Sequence, residues 1–265
     1  MVIAAAAALA AGMLNALAGG GTLLLYPALV ALGLPPIAAN FHCSVSLCPG
    51  YLGAALAQRR ALAEQRARWQ VLVPIAFVGG ASGALLLLRT HAHAFEQLVP
   101  WLILLASLSL ATQDLLAARL ATRGAGGDAH GGPDQVRRLL APGRFHVLLP
   151  ILLAAVYAGY FGAGVSVLLL ALLGLAFDDT FTRLNALKQA LGLAATAGAV
   201  SVFALRASVN WPLVAGLAAC ALLGGFLGGR LATRVRPASL RRIVVVLGLA
   251  LAAYYFSRLH SGAPS

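Results

Sequence analysis

The chain has 265 residues, of which 61% are hydrophobic and only 10% charged, against about a quarter charged in an ordinary soluble domain, so no single water-soluble core can absorb it. The net charge of +12 would also suit a nucleic-acid binder, but the arginines stand mainly in short clusters between apolar runs, where the positive-inside rule puts them, and no nucleic-acid partner is expected. Apolar runs of about 20 residues, enough to cross roughly 30 Å of hydrocarbon, recur from end to end; the composition therefore reads as an all-α, polytopic integral membrane protein.

In chain order the hydropathy gives ten apolar elements. The first five are Val2 to Ala18, Thr22 to Leu34, Ile37 to Ala57, Trp69 to Leu88 and Phe95 to Ala118. A polar connector follows, about Arg119 to Arg144, whose Gly-Ala-Gly-Gly-Asp and Gly-Gly-Pro-Asp stretches read as loop. The last five are Phe145 to Phe161, Val165 to Phe177, Phe181 to Leu205, Trp211 to Gly229 and Leu240 to Phe256. The alanine-rich start lacks the positively charged leading region of a secretory signal, and reads as mature protein. The domain reading is a membrane repeat over 1–118, a cytoplasmic connector over 119–144, a second membrane repeat over 145–258 and a short tail over 259–265.

Two features support the repeat. In each half the first two elements are too short to span well alone and are separated by glycines, Gly19-Gly20-Gly21 and Gly162-Ala163-Gly164, so they are expected to be broken or re-entrant half-helices. Each half then turns, at Gly33-Leu34-Pro35-Pro36 or Asp178-Asp179, into a long helix with Asn40 or Asn185 in its first turns. Charge orients the halves. The loop carrying Arg59, Arg60, Arg66 and Arg68, the connector, and the cluster Arg230, Arg234, Arg236, Arg241 and Arg242 should face the cytoplasm, and the loops near Arg89 to Glu96 and Arg206 to Asn210 the outside. The basic loops hold opposite ranks in the two halves, so the repeats are expected to be inverted, with about eight crossings and both termini outside.

Glycines in membrane helices often serve only close packing, the expected role of Gly79, Gly80, Gly83, Gly224, Gly225, Gly228 and Gly229. The glycines at 19–21 and 162–164 differ because they interrupt helices at matching places. A break there presents half-helix N-termini, whose partial positive charge suits an anion in a dry site. Lys188, the one lysine of the chain, falls seven residues into its helix, roughly 10 Å from the helix end at about 1.5 Å per residue. An ionisable group at that depth is a functional candidate, the alternative being snorkelling beside Asp178, Asp179 or Arg183. Asn185 shares its helix face, and Asn40 and Cys43 are the first-half counterparts of Asn185 and Lys188. The candidate substrate-binding residues are thus Gly19, Gly20, Gly21, Asn40, His42, Cys43, Gly162, Gly164, Asn185 and Lys188, with proton coupling through Lys188 or His42 as an option. The three cysteines, Cys43, Cys48 and Cys220, sit in apolar segments and read as packed thiols. No Cys/His set has metal spacing, and neither metal nor cofactor is expected. His91 and His93 read as loop residues, and Asp114 as a partner of Arg119.

These residues carry a resemblance. Asn15-Ala-Leu-Ala-Gly-Gly-Gly-Thr-Leu-Leu-Leu-Tyr-Pro-Ala-Leu, Leu32-Gly-Leu-Pro-Pro-Ile-Ala-Ala-Asn and Pro49-Gly-Tyr-Leu-Gly in the first half resemble the TauE/SafE sulfite exporter family. So do Gly159-Tyr-Phe-Gly-Ala-Gly-Val, Leu184-Asn-Ala-Leu-Lys188, Val209-Asn-Trp-Pro and Leu223-Gly-Gly-Phe-Leu-Gly-Gly-Arg-Leu-Ala in the second. The resemblance implies a secondary permease of the bacterial inner membrane that exports small sulfur-containing or carboxylated anions such as sulfite, sulfonates or sulfoacetate. One departure stands out: where many relatives carry a Thr-Asn pair after the Gly-Leu-Pro turn, this chain has Phe41-His42-Cys43-Ser44, so substrate identity is not inherited with the fold. The alternatives are an anion channel or uniporter, a non-catalytic assembly subunit, and a membrane enzyme, the last disfavoured by only seven acidic residues. A homodimer through the helix carrying Gly224 to Gly229 is a further expectation.

Overall fold

Backbone polar groups in lipid must be satisfied within the chain, which leaves helices as the simplest solution for apolar runs of this length. The computed structural model describes residues 2–17, 19–123, 145–231 and 238–261, and the side chains of these except 2, 113–123, 145–146, 238–241 and 258–261. Among them are eleven helices: α1 (Val2–Leu17), α2 (Thr22–Ala31), α3 (Pro36–Ala57), α4 (Arg59–Ala63), α5 (Arg66–Arg89), α6 (Ala92–Arg123), α7 (Phe145–Tyr160), α8 (Val165–Ala176), α9 (Phe181–Arg206), α10 (Trp211–Leu231) and α11 (Ala238–Ser261). The ten apolar elements are all present. The basic loop adds the short α4, and α6 runs on to Arg123, so the expected connector begins later than Arg119. The rest of that connector, with Arg234 and Arg236, lies outside the described residues, as do the side chains of Asp114, Arg119 and Arg241.

Among the described residues, four helices, covering Arg66–Arg89, Ala92–Thr112, Phe181–Arg206 and Trp211–Leu231, are long and apolar enough to cross a membrane by themselves. Of these α9 is the central one: its apolar window is 67% buried inside the protein, against 39% in each of the others. Local sequence fixes the starts of the two long central helices. Pro35 precedes Pro36 at the first position of α3, where a missing N–H costs nothing, and the Thr180 hydroxyl accepts the Arg183 N–H to cap α9 at 3.4 Å.

Glycine faces set the packing, and they do so twice. On α5, a Cβ at Gly80 would overlap the carbonyl of Ala195 on α9, and one at Gly83 the carbonyl of Val156 on α7. On α10, a Cβ at Gly225 would overlap the carbonyl of Gly50 on α3, and one at Gly224 the carbonyl of Leu9 on α1. Gly53 meets Leu222 and Phe226 as Gly198 meets Phe77 and Ala81. Each member of these α3–α10 contacts is separated from its α9–α5 counterpart by the same number of residues. The two long glycine-faced helices are thus exchanged, α5 packing on α7 and α9 and α10 on α1 and α3. The chain's own α1 and α3 thus fill the face of α10 that carries Gly224, Gly225, Gly228 and Gly229.

Two counterpart pairs pack directly on each other, and both run antiparallel. Along α3 and α9, Gln58 meets Asn185 at 2.9 Å, Tyr51 lies against Gly192, and the rings of Phe41 and Phe203 are 5.8 Å apart. Along α6 and α11, Trp101 meets Phe256 edge-on at 4.9 Å, and Ser107 lies against Gly248.

Candidate functional site

Ending a helix inside the protein leaves its last carbonyls without partners, and the two breaks resolve this in the same way. Gly19 (φ +82) and Gly162 (φ +75) take the left-handed conformation that favours glycine. Their N–H groups turn back to Leu14 O at 2.6 Å and Tyr157 O at 3.1 Å. Three further carbonyls are met from the opposite half. Asn40 on α3 donates to Tyr160 O, at the end of α7, at 2.7 Å. Gln189 on α9 donates to Asn15 O and Ala16 O, near the end of α1, at 3.3 and 3.1 Å. The long helix of each half therefore closes the break of the other.

The breaks also touch. A Cβ on Gly19 would overlap the Cβ of Ser166, in the first turn of α8, and Ser166 Oγ lies 3.4 Å from the Tyr51 hydroxyl. Gly21 N–H donates to Asn15 Oδ1 at 2.9 Å, tying the start of α2 to the end of α1.

Lys188 is fully buried, at 0% exposure, so it does not snorkel to the interface. It lies one turn after Asn185 and one turn before Gly192 on α9. Given the Gln58–Asn185 and Tyr51–Gly192 contacts, the antiparallel register puts Lys188 level with Ala54 and Ala55 of α3, in the zone where Gln189 reaches the end of α1. Asn15, Gln58, Asn185 and Gln189 are each at most 5% exposed. Each keeps one amide atom without a hydrogen-bond partner among the described residues: Asn15 Nδ2, Gln58 Nε2, Asn185 Oδ1 and Gln189 Oε1. Leaving such a group unmet costs about 1–3 kcal/mol, so the zone around Lys188 concentrates buried polar side chains that purely apolar packing does not call for.

Not all the expected residues come together here. Cys43 lies twelve residues before Ala55 on α3, about 18 Å along the helix at 1.5 Å per residue, and packs in an apolar cluster with Tyr26 and Phe41. His42 is committed elsewhere: its Nδ1 donates to Ala38 O at 2.7 Å and its Nε2 accepts the Asn210 N–H at 2.9 Å. It thereby fastens the connection between α9 and α10. Asn40, His42 and Cys43 thus form one group, near the end of α7 and Gly162, and Asn185 and Lys188 another, near the end of α1 and Gly19. Gly164, opening α8, packs on Ala106 of α6, and Gly20 faces Leu110 and Val244. His91 and His93 are exposed. Asn15, Tyr51, Gln58, Ser166 and Gln189 were not anticipated. The signal available was their polarity inside apolar helices, which in a membrane protein marks a functional position by default.

Residues 4–255 match the family model described as Sulfite exporter TauE/SafE. The chain belongs to the TauE/SafE sulfite exporter family. Among curated relatives of this TauE/SafE protein, the probable membrane transporter protein YfcA of Escherichia coli strain K12 is 27% identical over 252 residues, covering 93% of this chain and 86% of the relative. A probable membrane transporter protein of Haemophilus influenzae is 26% identical over 248 residues, covering 92% of this chain and 89% of the relative. No solved structure matches the chain. The TauE/SafE chain is accordingly a multi-pass membrane transporter.

Proposed function

We propose that this protein is a secondary permease of the bacterial inner membrane that exports small sulfur-containing or carboxylated anions, of the sulfite, sulfonate and sulfoacetate class, by alternating access around a site at mid-membrane. The reading rests most on Lys188, a cation buried to 0% exposure beside the junction of two helix breaks. An ionisable side chain buried at this depth marks a functional position by default, and a small oxyanion would complement a lysine charge and offer acceptors for the Gln58 and Asn15 amide donors. Gly21 ties the start of α2 to the end of α1, Gly19 meets Ser166 in the first turn of α8, and Asn185 orients Gln58, while Gly20, Gly162 and Gly164 shape the two breaks. Asn40, His42 and Cys43 serve the opposite end of the path in this reading.

Alternating access follows if the halves are inverted repeats. In support, the counterpart pairs α3 with α9 and α6 with α11 run antiparallel, which a two-fold axis lying in the membrane plane requires. Two such halves exchange roles as the protein rocks, exposing one site to each side in turn. The test is a thermal-shift screen of detergent-purified protein against sulfite, thiosulfate, alkyl sulfonates and small carboxylates. Selective stabilisation by one anion, absent in Lys188→Ala, is the expected outcome; stabilisation by none of them, or undiminished stabilisation of the variant, contradicts the reading.

A further inference from the structure

A second buried charged group lies on α9 five residues before Lys188, and the proposed transport does not yet use it. Arg68, in the first turn of α5, is 3% exposed, Asp179, just before α9, is 6% and Arg183 is 8%. The two oxygens of Asp179 are met separately: Oδ2 by Arg68 Nη1 at 2.5 Å and Oδ1 by Arg183 Nε at 3.5 Å. Oδ1 also accepts the Thr180 N–H at 2.8 Å, at the N-terminal end of the 26-residue α9. The Arg68 guanidinium stacks 4.6 Å from the centre of the Phe177 ring and donates to Gln65 Oε1 at 3.2 Å. Arg183 also donates to the Glu64 carbonyl at 3.3 Å.

Two guanidinium groups, a helix N-terminus and a backbone N–H converging on one carboxylate make the environment of a bound small anion. Asp179 is the buried acid here, and Arg183 Nε also lies 3.6 Å from the Glu64 carboxylate, whose side chain is 63% exposed. The elements matter too, since Arg68 comes from the first half and Asp179 and Arg183 from the second. We propose that Arg68 and Arg183 form a second site for small oxyanions and carboxylates, occupied in this conformation by the chain's own Asp179 carboxylate and vacated for a mobile anion when the halves part at this end. This deepens the anion-carrier reading and rests on it for the route, since an anion leaving Lys188 toward the arginine-rich loop meets Arg183 next.

The experiment replaces the tethered carboxylate with a free one. Asp179→Ala is purified in detergent, and its melting temperature is followed while formate replaces chloride at constant ionic strength, alongside wild type and Asp179→Ala/Arg68→Gln. Each protein is also examined with Lys188→Ala added, which separates formate bound at Lys188 from formate bound at the arginines. The expected result is a saturable rise on the order of 5 °C in Asp179→Ala, kept in the Lys188→Ala background and absent both from wild type and from the Arg68→Gln double variant. A monodisperse Asp179→Ala that formate does not stabilise, or a rise that disappears with Lys188→Ala, overturns the proposal. If Asp179→Ala is recovered only when formate is present during purification, that counts for the site. Failure to recover it with formate, together with failure to recover Asp179→Gly with acetate, counts against it.

Discussion

His42 is held by backbone groups through both of its ring nitrogens. A histidine in an apolar helix next to a predicted turn invites a substrate or proton role, yet both ring nitrogens are spent on backbone groups, Ala38 O and the Asn210 N–H. His42→Leu therefore leaves the Asn210 N–H without its acceptor, a loss of about 1–3 kcal/mol, seen as a lower melting temperature in detergent with the anion-induced stabilisation unchanged. A lost anion response with unchanged melting temperature would return His42 to the site. Lys188 stood out in the sequence because it is one lysine deep in an apolar run, and its complete burial excludes snorkelling to the interface. Gln58, at the end of α3, and Gln189, two turns into α9, offered only their polarity as a signal, because the partners of these two lie 127 and about 174 residues away in the chain.

At the scale of elements, hydropathy located all ten apolar helices to within a few residues at most ends, because lipid demands long uninterrupted runs and the interruptions are glycine or proline. It did not locate α4, whose five residues, Arg-Arg-Ala-Leu-Ala, are too few to show a period. Nor could it say what the glycines of α5 and α10 touch, since a close-packing face looks the same whether it meets its own chain or another copy. The glycines now have named partners, and substitutions at counterpart positions should match. Gly80→Ala and Gly225→Ala each force a methyl against a backbone carbonyl and should each cost about 1–3 kcal/mol by overpacking. Gly216→Ala, where nothing lies within 4 Å of the added methyl, should be neutral or slightly stabilising, since alanine is the better helix former. Thermal unfolding of the three variants checks this, and a Gly80→Ala protein as stable as Gly216→Ala would show that the α5–α9 approach is looser than described.

For the whole molecule, the repeat was visible in the spacing of the glycines and of Asn40 and Asn185, but its consequence was not. Only the contacts reveal that α5 and α10 are exchanged between halves and that each half's long helix closes the other's break. If one half rocks against the other, as proposed, that interlocking changes both breaks together. The orientation expected from charge is open to direct test in a background with Cys43, Cys48 and Cys220 replaced. Ser208→Cys, between α9 and α10, should react with a membrane-impermeant maleimide in intact cells, and Arg60→Cys only after permeabilisation; labelling of both from one side would exclude inverted halves. The central claim is that Lys188 holds the transported anion, and it is tested most directly by efflux from proteoliposomes loaded with the anion that stabilises the purified protein. Wild type should empty them, and Lys188→Ala, reconstituted at equal density and equally monodisperse, should release anion no faster than protein-free liposomes; efflux at the wild-type rate from the variant would contradict the account.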